Sequence, residues 1–353
     1  MRLEDLLKAA VEHEASDLHI TVGLPPTLRV LGKLGPVDDL PRLSGDDTER
    51  LVMSMMSDDN KRMLNEEGHV DFSLGRSGIG RFRVNVYKQR GTYGAAIRVI
   101  PYDVPSLWDL GLPQIIEKFA DKPRGFVVVT GPTGSGKSTT LAALVDLINL
   151  KRSCHVITIE DPIEYLHQHK KAMVNQREIG GDAKSFPSAL RAALREDPDV
   201  ILVGEMRDLE TMSTAITAAE TGHLVLATLH TGDAVQTIDR IIDVYPEYQQ
   251  RQVRVQLAAT LEVVISQQLV PRMDKPGQVP AVEIMVGTPA VRSLIREGKT
   301  HQLRSLIQTG ARFEMQTMEQ SLRYWVEQGV VSREDALAVA VDADDLKRLL
   351  EAI

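Results

Sequence analysis

Phe126-Val-Val-Val-Thr130, followed at once by Gly131-Pro-Thr-Gly-Ser-Gly136-Lys137-Ser138, decides the fold. The first five residues are a continuous apolar run rich in β-branched side chains, the texture of a strand buried on both faces of a parallel sheet. The next eight match G-x-x-x-x-G-K-[ST], and the pattern predicts a helix over residues 138–150. Strand, glycine-rich turn and helix N-terminus together make a phosphate cradle. Gly131, Gly134 and Gly136 let main-chain N–H groups turn inward, Pro132, Thr133 and Ser135 complete the loop, and the helix start adds positive potential. Lys137 is expected to reach the β and γ phosphates of a nucleotide and Ser138 to offer its hydroxyl to Mg²⁺. Thr139 is expected to bond a phosphate at the base of the helix.

Working outward, further buried strands are expected over residues 155–159, 200–203 and 224–228, with helices over 209–220 and 234–244. Alternating strands and helices predict an open α/β sheet. The tail over 289–353 reads as mostly helical, with Ser332-Arg-Glu-Asp335 as a capping box. Upstream the texture changes to α+β. A helix is expected over 3–14, short strands over 17–22 and 27–31, and a helix opened by Ser44 through 56. Two alternating runs, 80–87 and 93–100, predict a hairpin with Gly91 in a longer loop. Pro101 and Pro105 bracket a linker over 101–106, so the domains are expected at 1–100 and 107–353.

A length of 353 residues agrees with two domains at roughly 150 residues each. Lys+Arg is 41 and Asp+Glu 49, a net charge of −8 that argues against nucleic acid as a direct partner. Aromatics at 4% supply few stacking platforms for single strands. One cysteine, Cys154, makes neither an intrachain disulfide nor a multi-cysteine zinc site and suits a reducing compartment. The charged amphipathic start does not read as a signal peptide, and no apolar run approaches the ~18 residues of a membrane span.

Carboxylates gather where strands end. Val200-Ile-Leu-Val-Gly-Glu205 closes an apolar strand on Glu205, a position suited to the Mg²⁺ shell or to a water beside the γ-phosphate, with contact through water given the length of Glu. Thr158-Ile-Glu160-Asp161-Pro162-Ile-Glu164 places three more beyond another strand, and one of them is a candidate general base. His223 and His230 flank the strand over 224–228 and are candidates for phosphate contact. Arg83 and Arg98 lie on the two hairpin strands of the first domain. An arginine from one domain can neutralise charge on a phosphate held by another.

With these motifs together, the chain resembles the secretion/pilus hexameric ATPase superfamily and, within it, the PilT family of type IV pilus retraction motors. Besides the phosphate loop, the resemblance rests on Ser16-Asp-Leu-His-Ile20 with Gly23-Leu-Pro-Pro26, on 158–164, on Val203-Gly-Glu-Met-Arg-Asp208, and on Thr221-Gly-His-Leu with Thr228-Leu-His-Thr231. Ala290-Val-Arg-Ser-Leu-Ile-Arg-Glu297 is similar to the family's retraction motif, with Val291 and Ser293 where Ile and Asn are more common. Met315-Gln-Thr-Met318 is similar to its C-terminal signature. The resemblance implies a PAS-like N-terminal domain, a RecA-like ATPase domain and a homohexamer that hydrolyses ATP with Mg²⁺. It implies that Glu164 is the catalytic glutamate, Glu205 the Walker B residue, Arg83 and Arg98 arginine fingers, and His223 and His230 the His-box pair. It further implies a cytoplasmic protein at the inner-membrane pilus base, meeting a PilC-like platform protein through 290–297, with a PilU-like paralogue as partner or alternative identity. The extension motors of the superfamily resemble one another in an extra N-terminal domain and a tetracysteine element; the short front and the lone Cys154 favour the retraction branch.

Overall fold

The computed structural model describes residues 2–37 and 40–351. The chain forms two compact units. The first comprises residues up to Asp103 together with Pro162–Leu166; the second comprises Val104–Asp161 and His167 onward. The division at Asp103/Val104 falls inside the stretch expected as a linker. The grouping of Pro162–Leu166 with the first unit departs from the continuous second domain expected over 107–353. Within the first unit, the Leu166 N–H donates to the Pro101 carbonyl at 3.3 Å.

The first unit contains α1 (Leu3–Glu12), β1 (Asp17–Ile20), β2 (Thr27–Val30), β3 (Lys33–Pro36), α2 (Gly45–Met55), α3 (Asp58–Glu67), β4 (His69–Arg76), β5 (Gly80–Gln89) and β6 (Thr92–Ile100). Its sheet has six strands in the order β3-β2-β1-β6-β5-β4. The reciprocal Ser44/Asp47 capping box opens α2 as the sequence suggests. One face of the sheet is apolar: Leu18, Ile20, Val84, Val86 and Ile97 pack with Leu6, Leu7 and Val52 of the helices. Three elements escaped the sequence reading. β3 is only four residues long, α3 buries Leu64 alone, and β4 mixes Ser, Gly and charged residues, so none shows a strong period. The hairpin differs too. Gln89 pairs with Thr92, leaving Arg90 (φ 47°) and Gly91 (φ 75°) as a two-residue turn of the I′ type in place of a longer loop. Arg90 takes the left-handed conformation usually left to Gly or Asn, so half of the usual turn signature is missing from the sequence.

The second unit contains β7 (Gly125–Thr130), α4 (Lys137–Lys151), β8 (His155–Glu160), β9 (Met173–Glu178), α5 (Phe186–Ala193), β10 (Val200–Val203), α6 (Leu209–Glu220), β11 (Leu224–Leu229), α7 (Ala234–Asp243), α8 (Glu247–Thr260), β12 (Leu261–Pro271), β13 (Gln278–Val286), α9 (Pro289–Glu297), α10 (Leu303–Gln308), α11 (Met318–Glu327), α12 (Arg333–Val339) and α13 (Ala343–Glu351). Seven strands run in the order β13-β12-β7-β11-β10-β8-β9, and only β13 pairs antiparallel. The apolar run 126–129 is explained by alternation across two cores. Phe126 and Val128 meet α6 and α8 through Ile216 and Leu257, while Val127 and Val129 meet α4 through Leu144 and Ile148. The β12–β13 hairpin had no counterpart in the sequence reading, because a strand buried on both faces shows no alternation. Its far end, at Val270 and Val279, carries the C-terminal helices through Leu322 and Leu346. Ser332 does cap α12, accepting the Asp335 N–H, and its hydroxyl bonds the Asp335 carboxylate. Cys154 is half-buried against the core, and burial raises its thiol pKa.

Candidate nucleotide-binding site

β7 is central in its sheet, flanked by β12 and β11, so its carboxyl end opens onto a crevice between strand ends. The chain leaves it through Gly131 (φ 145°), Gly134 (φ 80°) and Gly136 (φ 84°), backbone angles that disfavour any side chain. Gly131 is further forced by space: a Cβ there would stand 2.2 Å from the Gln267 carbonyl oxygen. Lys137 is buried (8% exposed), and its ammonium donates to the carbonyls of Gly131 and Pro132 at 2.8 and 2.9 Å. It is thereby held over its own loop, where phosphate would lie. Ser135 Oγ is buried and has no hydrogen-bond partner among the described groups. A buried hydroxyl inside the loop with its hydrogen-bonding capacity unused fits a phosphate group as partner. Ser138 and Thr139 sit in the first turn of α4, both partly exposed. Beside them a cavity of about 310 Å³ is lined by Asp109, Leu110, Gly136, Thr139, Leu269 and Pro280 among others.

Two strands away, β10 ends before Glu205. β11 lies between β7 and β10, so their ends are about 10 Å apart, two strand spacings. Glu205 Oε1 is met by Arg207 Nε at 2.6 Å and by His230 Nε2 at 3.0 Å. Burial alone would raise the Glu205 pKa, but Arg207 and His230 outweigh it and hold the carboxyl below its usual range. Glu205 is thus an ionised group at the crevice, suited to charge and to water and ill suited to accepting a proton.

Residues 2–278 match the family described as Type II/IV secretion system protein. The chain is 49% identical to the type IV pilus retractation ATPase PilT of Pseudomonas aeruginosa over 95% of this chain and 97% of that one. The chain belongs to the PilT branch of this family. It is 43% identical to the type IV pilus ATPase PilU of the same organism, over 99% of this chain and 92% of that one. Among solved structures, the pilus retraction motor PilT with bound ADP matches at a TM-score of 0.90 and 50% identity, covering 99% of each chain.

The remaining predicted residues are placed unevenly. His230 reaches Glu205, but His223 does not: it precedes β11 at the opposite edge of the sheet, about 20 Å away along a six-residue strand. There its Nδ1 lies 2.9 Å from the Ala218 carbonyl, and its own carbonyl accepts the Gly125 N–H. Within this sheet the two histidines are therefore not brought together, because the strand between them separates its two ends. Arg83 and Arg98 are directly opposed neighbours on β5 and β6 of the first unit, both exposed, and Arg98 Nε binds Asp17 at 3.0 Å. Glu164 is exposed and belongs to Pro162–Leu166 of the first unit. Glu160 accepts from Thr158 at 2.6 Å and from Gln176 at 3.2 Å, which ties it into the second unit.

Sequence reasoning missed Gln267. On β12, with 2% exposure, its Nε2 donates to the Ser135 carbonyl at 2.7 Å and its Oε1 accepts from Thr140 at 2.8 Å. One side chain thus braces both the loop and the first turn of α4. No local signal marks it, since its partners lie more than a hundred positions upstream. Gln267→Ala should destabilise the protein by about 1–3 kcal/mol, because two buried partners lose their bonds. It should also weaken ATP binding, read by melting together with nucleotide titration. Undiminished affinity in a folded variant would remove the brace from the account.

The donor set fits Mg²⁺. Among the described residues no cluster of three or more His, Cys, Asp or Glu could cage an ion. Mg²⁺ characteristically takes few protein ligands, completing its shell with phosphate oxygens and water. The Ser138 hydroxyl and the ionised Glu205, directly or through water, would hold it; when bound, it neutralises charge on the β and γ phosphates.

Proposed function

We propose that this chain is the ATP-hydrolysing motor of type IV pilus retraction, working as a cytoplasmic homohexamer at the inner-membrane pilus base. The observation that carries the reading is the near-full-length identity to PilT, joined to a phosphate loop beside an ionised Glu205. Water attacks the γ-phosphate and ADP leaves with phosphate. In this reading Glu164 orients the water or takes its proton, and Lys137 stabilises charge on the γ-phosphate. Arg83 and Arg98 supply further positive charge, and His230 keeps Glu205 in place. His223 is assigned to nucleotide sensing in the assembled ring. Among the described residues no helix is long and apolar enough to cross a membrane. In this reading force passes to a PilC-like platform protein, and α9 is the proposed contact. Val291 and Ile295 of α9 face inward, and Arg292 is tied to Glu262 and to the Gly287, Ala258 and Ala259 carbonyls. Ala290, Arg296 and Glu297 stay exposed for the partner.

Deletion of the gene tests the reading, with twitching motility and surface pili scored together. Loss of motility with excess surface pili is expected; loss of pili altogether would assign the chain to extension. The 43% identity to PilU supports a second reading, an accessory retraction ATPase acting with a PilT-like partner. Complementation separates the two: a primary motor restores retraction in cells lacking both paralogues, and an accessory one does not.

A further inference from the structure

Glu283 is a buried carboxyl (6% exposed) on β13 that the hydrolysis scheme does not use. Its Oε1 accepts the Ala234 N–H at 2.8 Å, the first amide of α7. Its cross-strand neighbour on β12, Ser266, directs its hydroxyl to the Gly232 carbonyl at 3.4 Å. These two adjacent side chains therefore hold the main chain of residues 232 and 234. The front of the same loop is held by Thr130 Oγ1, which meets the Thr231 carbonyl at 2.8 Å and hydroxyl at 2.7 Å. Thr130 Oγ1 also meets the Leu229 carbonyl at 3.2 Å, so the short run from Leu229 to Asp233 is held on both sides, and His230 within it touches Glu205. Among the described residues that anchor this run from the neighbouring strands, Glu283 is the ionisable one.

We propose that Glu283 is a positioning residue for ATP turnover, acting through Ala234 and the His230 loop on the Glu205 carboxylate. The inference rests on the reading that Glu205 serves hydrolysis. An ionised carboxylate is the stronger acceptor for the Ala234 N–H and complements the helix N-terminus, so ionisation tightens the loop. Burial opposes that ionisation. The charged groups facing Glu283 are Asp233 at the start of α7, Glu319 on α11 and Arg304 on α10. Burial is the largest influence, Asp233 and Glu319 add to it, and the Ala234 N–H and Arg304 act against it, leaving a pKa of about 7. The loop is therefore set by a group that changes charge near neutrality. Stability runs the other way. A folded-state pKa above the unfolded one means that stability is greatest below pH ~4.5 and is lost as pH rises through ~7.

The experiment compares Glu283→Gln and Glu283→Leu with the wild type in the full chain. Gln keeps an acceptor without titrating, and Leu removes the acceptor at similar volume. Glu283→Leu should lower kcat about tenfold with ATP affinity unchanged, the usual scale for an outer positioning partner. Glu283→Gln should retain most activity, lose the wild-type fall in kcat below pH 7, and melt higher than wild type at pH 8 but not at pH 5. Wild-type kcat in folded Glu283→Leu, or a pH profile unchanged in Glu283→Gln, overturns the inference. Should Glu283→Leu fail to fold, the Glu283→Gln pH profile alone decides. Glu205→Gln serves as the control. If it turns over normally, the reading of Glu205 fails; if it is inactive while Glu283→Leu is normal, only the present inference fails.

Discussion

Lys137→Ala lowers kcat/KM for ATP by about 10³-fold or more. Removing one preorganised donor to developing charge typically costs 10²–10³ in kcat, and Lys137 also contributes to binding the ground-state phosphates. The structure shows why no neighbour substitutes. Lys137 is 8% exposed, so water replaces it poorly, and its bonds to the Gly131 and Pro132 carbonyls place it over the loop. Nucleotide phosphate offers full negative charge in place of those two neutral acceptors, so the side chain has reason to exchange one set for the other. Phosphate release at saturating ATP, with nucleotide titration and a melting curve on the same sample, separates lost chemistry from lost binding and lost fold. A folded variant that hydrolyses ATP at the wild-type rate would refute the assignment.

Glu164→Ala is expected to bind ATP nearly as well as the wild type and to turn it over about 10²–10⁴-fold more slowly, the span of a positioned general base. The physical case lies in the contrast with Glu205. Glu205 is pinned by Arg207 and His230 and held below the usual carboxylate range, which suits a standing negative charge. A base must give and take a proton, and the Arg207 guanidinium together with the His230 contact opposes that. Glu164 is exposed, and no ion pair to it is described. The decisive measurement is single-turnover hydrolysis alongside ATP affinity. Slow chemistry at unchanged affinity supports the role. Wild-type turnover would reopen the choice among Glu160, Asp161 and Glu164.

How much was legible beforehand differs element by element. α6 was read to the residue, because Asp208 caps it and its apolar spacing is regular. The proposed phosphate loop was legible because its signal is local: three glycines, a lysine and a serine at fixed spacing between a strand and a helix. β12 and β13 were not, since a strand buried on both faces has no alternation to find. Arg207 stood in a quoted motif without a role, although its place two residues past Glu205 hinted at one.

The amino-acid sequence alone determined the strand–glycine loop–helix unit from β7 to α4, the acidic strand end at Glu205 and the family. All of these depend on short-range spacing, and spacing is what a sequence records. Only the tertiary structure decided which distant groups share a site. It put β11 between β7 and β10, which brought His230 to Glu205 and left His223 at the far edge. It set Gln267 under the loop and Glu283 under the start of α7. Those placements follow from strand order and register, properties of how segments far apart in the chain pack together, and no local pattern encodes them.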